Sequence, residues 1–359
     1  MSTRFVVRRN DLHHTSWVDE PSTDLTDGAV RFRVDTFALT SNNITYAAFG
    51  DALGYWNFYP TGDPATGTVP VWGFADVSET RCAGLEVGER FYGYWPIADE
   101  VTLHPAVVNP SGFIEGGQHR STLSPVYNTY VRCSADPGYT VELEAQQALL
   151  RPLFGTAFML DDFLADNDFV GASTVVASSA SSKTAYATAY CLARRGDARV
   201  IGLTSEANAE FTRSLGCYDD VLTYDDIPAL SKDPSLYVDF SGSSAVRTAV
   251  HERLGAALRY SCAVGATHWD TLGSQTAPGP DPVLFFVPDH IVKRSADWGA
   301  DGLRQRLGAA WLEFMEPVTR AENPWLTVVR GAGHTAVEDR YGALLAGTAP
   351  AREGFVLTV

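Results

Sequence analysis

The chain has 359 residues, 45% hydrophobic and 19% charged, the balance of a folded protein long enough for two domains or one large one. Its formal net charge of −16 repels nucleic acid and anionic membranes, yet still permits a small phosphate held at a helix N-terminus. No apolar run has the length of a membrane span or a signal-peptide core, and the five cysteines form no C-x-x-C or Cys/His cluster; a cytoplasmic protein without structural zinc, and without membrane or nucleic-acid partners, is expected.

From residue 1 to about 135 the sequence is β-like. Ala29–Leu39, "AVRFRVDTFAL", alternates inward and outward residues with the period of a half-buried strand. Arg90–Trp95, "RFYGYW", is a further short strand among Gly, Pro and Asp turns. Gly54–Gly73, rich in aromatics, Gly and Pro, reads as a long loop suited to a pocket wall. Val141–Asp166 then has helical spacing, with a break expected near Pro152 and Gly155.

Beyond it strands and helices alternate. "STVVAS", "ARVIGLTS", "DDVLTY", "SLYVDFSG", "LRYSCAVG" and "PVLFFVP" read as strands, and the stretches after the first, second and fourth read as helices. Strands apolar on both faces imply a parallel sheet covered by helices on both sides. Asp301–Met315 supplies another amphipathic helix, and the tail reads strand, helix, strand. The expected fold is therefore α/β, with a β-rich domain over residues 1–140 and 317–359 and a doubly wound parallel-sheet domain over residues 141–316.

The junction of the first strand with its helix carries the functional question. Ala177–Thr184, "ASSASSKT", has the length and Lys-Thr ending of a nucleotide-triphosphate P-loop, G-x-x-x-x-G-K-[ST], but Ala177 and Ser182 stand where the glycines belong. Asp239, at the end of an apolar strand, would be the magnesium-orienting residue of that reading. As a dinucleotide turn the stretch also lacks its glycines. Small residues still permit close packing there, and Ser178, Ser179, Ser181 and Ser182 offer hydroxyls to a pyrophosphate, with Lys183 and Thr184 beside them. A serine cluster that merely caps the helix is the plain alternative. At the tip of the second strand, Thr204 and Ser205, with Asn208 following, accept a 2′-phosphate without the repulsion a carboxylate would bring; Glu206 next to them argues the other way. NADP(H) is preferred over NAD(H).

The order of parts resembles the medium-chain dehydrogenase/reductase superfamily, in its zinc-free, quinone-oxidoreductase-like branch. "GLEVGERFYGYWPIADEVTLHP" is similar to the family's "vGDrVyg" strand and the segment after it, "VRFRVDTFALTSNNITYAAFG" to the strand entering an Asn-containing active-site segment, and "SLGCYDDVLTY" to "lGad-vi-y". The resemblance implies a GroES-like β-rich domain and a Rossmann cofactor domain. It implies that Tyr224 sits near the 2′-phosphate, and that Gly242 and Gly265 lie on strand ends approaching ribose and nicotinamide. Zinc-dependent members have Cys where this chain has Asn42 and Asn43, and Gly-His-Glu where it has "GFADV", so no metal is expected.

Zinc-free relatives reduce a conjugated C=C or a quinone with NADPH, so the protein's task becomes positioning and charge stabilisation. On this resemblance Asn43 is the amide donor and Tyr46 the hydroxyl donor or proton source, unless both simply serve the fold. Tyr55, Trp56 and Tyr59 are candidates for an aromatic wall and His268 for the nicotinamide pocket; aromatics in a loop also serve to pin it. The apolar "PVLFFVP" strand suggests a homodimer edge. Three classes stay open: an NADPH-dependent reductase acting on a small molecule, a non-catalytic dinucleotide-binding protein with a redox-sensing or partner-binding role, and a P-loop phosphotransferase.

Overall fold

The computed structural model describes residues 2–21, 23–264 and 278–359. The chain divides into two compact units, 1–152 with 326–359, and 153–325. The first boundary lies at Pro152, inside a helix, instead of at residue 140. That helix, Glu144–Asp166, runs unbroken through Pro152 and Gly155, where the sequence suggested a break. Among the described residues no helix is long and apolar enough to cross a membrane.

The first unit is built on a nine-stranded sheet. Val30–Leu39 pairs antiparallel with Pro70–Thr80, and Pro70–Thr80 with Arg90–Pro96, so residue alternation on each strand sets what faces the interior. The interior is strongly aromatic, with Phe5, Phe32, Phe37, Tyr94, Trp95 and Tyr130 fully buried. The C-terminal return joins this unit: Thr327–Ala332 runs parallel to Glu353–Thr358, which pairs antiparallel with the end of Val30–Leu39. A second, three-stranded sheet joins Ser2–Arg8 to Asp11–Glu20 and Thr66–Gly67.

Two expectations for this unit change. Residues 41–48, read as a segment following a strand, form a helix, Ser41–Ala48, because Thr40 and Asn43 make a capping box at its start. The long loop after Gly54 contains a short 3₁₀ turn, Tyr55–Asn57, and the strand Thr66–Gly67.

The second unit is a six-stranded sheet of Thr174–Ala177, Arg199–Thr204, Asp220–Thr223, Ser235–Asp239, Leu258–Ala263 and Val283–Leu284. Counted in chain order, the strands lie 3-2-1-4-5-6, and every pairing is parallel. All residues of Thr174–Ala177 and Ser235–Asp239 are buried, as expected of central strands covered on both faces. The "PVLFFVP" strand shortens to Val283–Leu284. At Val287 the chain enters the helix Val287–Thr319, interrupted only at Gly299, whose φ of 73° is left-handed. The helix read from Asp301 is the second half of it.

The strand order reverses between the first and fourth strands. In doubly wound sheets the crevice beyond the carboxyl ends of the strands at such a reversal is where ligands bind. Here those ends are Ala177 and Asp239.

Candidate functional site

The turn after Ala177 folds without glycine. Ser179 adopts a left-handed φ of 49°, which costs a non-glycine residue about 1 kcal/mol or more. Its N–H donates to Tyr224 Oη at 3.1 Å. Close approach of the turn to the sheet comes from the neighbouring strand: a Cβ on Gly202 would lie 2.8 Å from the Ala180 Cβ. The glycine that the turn lacks for packing is thus provided by its neighbour.

The four serines separate into different roles. Ser178 is fully buried and donates to Asp239 Oδ1 at 2.9 Å, while its oxygen accepts from the N–H groups of Phe240 and Ser241 at 3.0 and 3.2 Å. It clamps two strand ends and offers no hydroxyl to a ligand. Ser181 is buried and accepts from Thr204 Oγ1 at 3.4 Å. Thr204, 1% exposed, therefore turns inward, away from any ribose at the strand tip. Ser182 is the N-cap of the helix Lys183–Arg195 and accepts from Ala185 N, so for this residue the plain capping reading holds. Beyond these contacts the turn runs from Ser179 through the Ser182 cap into Lys183 and Thr184, the first residues of the helix.

Around this turn, Ser205 is the N-cap of Glu206–Leu215 and makes no side-chain capping bond; the Asn208 N–H donates to its carbonyl at 3.0 Å. Tyr224 reaches the turn from the end of the third strand. Burial raises its pKa, and the bond from Ser179 acts in the opposite direction. Gly242 has a φ of 65°, but its N–H is bound to Asp239 Oδ1 at 3.0 Å. That oxygen also accepts from the N–H and hydroxyl of Ser241. With Arg247 Nη1 3.6 Å from its other oxygen and only 1% exposure, Asp239 organises a loop and is no magnesium-orienting carboxylate. Gly265 and His268 lie outside the described residues.

In the first unit the predicted donor Asn43 is consumed by the fold. Its Oδ1 accepts from Thr40 N at 2.7 Å and Thr40 Oγ1 at 3.1 Å, and its Nδ2 donates to the Pro70 carbonyl at 2.8 Å. Trp56 is a core plug, since Cβ atoms on Gly50 and Gly67 would come within 2.0 and 2.3 Å of its ring. Tyr59 is likewise internal, bonded to the Tyr94 carbonyl and to Tyr130 Oη. Trp56 forms no pocket wall.

Tyr46 and Tyr55 keep a different setting. Their rings are 4.6 Å apart, and Tyr55 Oη is 3.2 Å from Tyr127 Oη. Tyr94 and Tyr127 also pack on Tyr46, at 5.5 and 6.1 Å between ring centres. Burial pushes the Tyr46 hydroxyl well above the usual phenol range. Beside it the cross-strand pairs Trp72–Tyr94 and Phe74–Tyr92 set four rings on one face. Trp72 Nε1, Tyr92 Oη and Tyr94 Oη are buried with no hydrogen-bond partner among the described residues. Orphaned buried donors are costly, about 1–3 kcal/mol each. Trp72, Tyr92, Tyr94 and Tyr127 were not singled out from sequence; the alternating W-x-F and Y-x-Y of adjacent strands was the available signal. Among the described residues no group of three or more His, Cys, Asp or Glu has metal-binding geometry.

The fold is that of the medium-chain dehydrogenase/reductase superfamily. CurA from Vibrio vulnificus, in complex with NADPH, aligns over 99% of this chain and 99% of its own, with TM-score 0.59 and 14% identity. The quinone oxidoreductase from Coxiella burnetii aligns over the whole of both chains, with TM-score 0.56 and 12% identity. A mutant enoyl thioester reductase from Candida tropicalis aligns over 100% of this chain and 99% of its own, with TM-score 0.58 and 12% identity. No curated protein sequence matches. A sequence profile described as a protein of unknown function, DUF2855, matches residues 37–350.

Proposed function

The chain belongs to the DUF2855 family, and we propose that it is a zinc-independent, NADP(H)-dependent oxidoreductase reducing an activated C=C, enone or quinone. The observation that carries this reading is the turn at the strand-order reversal. There Ser179, held left-handed, presents its N–H to a hydroxyl oxygen of Tyr224 at the head of a thirteen-residue helix. CurA, similar in fold, binds NADPH, which favours the same coenzyme here.

In this reading the Ser179 N–H and the first turn of Lys183–Arg195 hold the pyrophosphate, with Lys183 and Thr184 beside it. Ser205, Asn208 and Tyr224 hold the adenosine ribose and its 2′-phosphate, while Ser178, Gly242 and Asp239 keep the loop in place. When bound, NADPH supplies the hydride. The protein's own chemistry lies in the aromatic cluster. Negative charge develops on the substrate's carbonyl oxygen during reduction, and fixed O–H and N–H donors in an apolar setting stabilise it. Tyr92 Oη, Tyr94 Oη and Trp72 Nε1 are such donors. Tyr46, protonated at neutral pH like any phenol, delivers a proton from Oη. Tyr55 and Tyr127 present rings to a planar substrate.

Fluorescence titration of the eight tryptophans with NADPH, NADH and Mg-ATP, followed by NADPH oxidation with enones and quinones, tests the reading. Saturable NADPH binding with enone- or quinone-dependent oxidation supports it. Binding without oxidation across the panel points instead to the non-catalytic dinucleotide-binding role, and absence of coenzyme binding removes both.

A further inference from the structure

The first unit holds a cavity whose wall residue Phe58 also packs against Tyr94 and Tyr127 of the aromatic cluster. The cavity, of about 320 Å³, is lined by Arg120, Phe58, Tyr59, Val101, Leu103 and Glu115, with Thr102 also on its wall. Arg120 is 1% exposed. Its Nε donates to the Phe58 carbonyl and its Nη1 to Tyr130 Oη, each at 3.0 Å, and its guanidinium lies 4.4 Å from the Tyr59 ring centre. All of these partners are neutral. Among the described residues no carboxylate forms an ion pair with Arg120.

The other two arginines lining the cavity are matched. Arg4 pairs with Glu20 and Arg31 with Glu79, each at 2.6 Å. Arg4 nonetheless keeps its Nε buried and unbonded. A fully buried guanidinium without a counter-charge is expensive to maintain, and burial of charge is ordinarily matched by an opposite one. The missing charge has room to arrive from the cavity.

The lining also restricts what arrives. Glu115 accepts from the N–H groups of His104 and Gly117 through its two oxygens, and Glu20 and Glu100 stand on the same wall. Three carboxylates disfavour a multiply charged anion, whereas Phe58, Val101 and Leu103 favour an apolar body. From this we infer that the cavity binds a small monocarboxylate, its carboxylate on Arg120 and its uncharged part against these three side chains. Planar, two-pronged recognition of a carboxylate is what a guanidinium does best.

Calorimetric titration of the full chain without coenzyme, using benzoate as probe and benzamide and inorganic phosphate as comparators, decides it. Benzoate is expected to bind saturably in the millimolar range or tighter, with both comparators at least about tenfold weaker. Arg120→Met is expected to weaken benzoate by about tenfold or more. Thr102→Trp, an exposed position on the lining, is expected to block the cavity with unchanged circular dichroism. It carries the test if Arg120→Met does not fold. No saturable benzoate binding, equal binding of benzamide or phosphate, or undiminished binding in folded Arg120→Met or in Thr102→Trp overturns the inference.

Discussion

Ser178 and Asp239, 61 residues apart, are joined by a 2.9 Å hydrogen bond that closes the ends of the two strands flanking the reversal in strand order. The Ser178 hydroxyl donates to the carboxylate and accepts two N–H groups of the loop beyond it. One side chain thus shapes both the turn after the first strand and the loop after the fourth. Ser178→Ala leaves the Phe240 N–H without its partner and removes one of several bonds to the Asp239 carboxylate, an expected loss of about 1–3 kcal/mol in urea unfolding. In a double-mutant cycle with Asp239→Asn, a coupling of about 1 kcal/mol or more is expected. Additivity of the two substitutions would refute the clamp.

Tyr224 gives a second prediction. Its hydroxyl accepts from the Ser179 N–H, and the proposed coenzyme site places it beside the 2′-phosphate. Tyr224→Phe is expected to weaken NADPH by about tenfold and NADH much less, since a tenfold change is about 1.4 kcal/mol, within reach of one hydrogen bond to a charged group. Equal weakening of both coenzymes in fluorescence titration would remove Tyr224 from phosphate recognition.

The third prediction separates Asn43 from Tyr46. Asn43 is bonded to Thr40 and Pro70, so Asn43→Ala is expected to lower stability by about 1–3 kcal/mol. Folded Asn43→Ala protein should keep its turnover near wild type. Tyr46→Phe is expected to leave stability nearly unchanged and to lower kcat by about 10²–10⁴-fold with little change in KM, the loss typical of a missing general acid. Comparison of kcat with urea midpoints for both variants checks this, and the reverse pattern would return the catalytic role to Asn43.

A fourth concerns association. Val283–Leu284 is one of the two edge strands of the parallel sheet among the described residues, and Val283, Leu284 and Phe286 are 49%, 44% and 52% exposed. An exposed apolar edge favours pairing with a second copy. A homodimer is the expected state by analytical ultracentrifugation. Val283→Lys with Leu284→Glu should shift it to monomer with unchanged circular dichroism. A wild-type monomer at micromolar concentration would end this expectation.

The fifth is a pH dependence. His251 is almost fully buried, with Nε2 2.9 Å from Ser261 Oγ and Nδ1 3.1 Å from the Pro278 carbonyl. Burial lowers its pKa below the ordinary 6.5, and the nearby Arg247 acts in the same direction. Because the folded value is the depressed one, the unfolded chain binds the proton more readily. Its stabilising contribution is therefore complete above about pH 6.5 and lost as pH falls towards and through the folded value. The urea midpoint should drop between about pH 7.5 and about pH 5.5, and His251→Gln should flatten part of that slope. An unchanged slope would exclude His251 as a contributor.

Much of the architecture is written locally. The runs "STVVAS", "ARVIGLTS" and "SLYVDFSG" declare buried parallel strands because both faces of each are apolar, and the alternating β-rich text before residue 140 declares a separate sheet. The motif "GLEVGERFYGYW" and the order of parts sufficed to indicate the superfamily fold. Helix boundaries were less legible: Pro152 sits inside a continuous helix, and Asn42 and Asn43 open one, because packing and a capping box outweighed local preference.

The residue-level site belongs to the tertiary structure. Along the chain the four serines have equal standing; folding put Ser178 under Asp239, Ser181 against Thr204 and Ser182 into a helix cap, leaving the backbone of Ser179 to face Tyr224. A hydroxyl's availability depends on which groups meet it from strands 45 or 61 residues away, and periodicity does not report those distances. The same holds for Trp72, Tyr92 and Tyr94, whose unbonded donors become a cluster only when two strands pair in register. Composition and patterning determine which surfaces are buried, since burial follows from near neighbours along the chain. Which polar atoms remain unsatisfied is a property of contacts distant in sequence, and only the assembled sheet decides it.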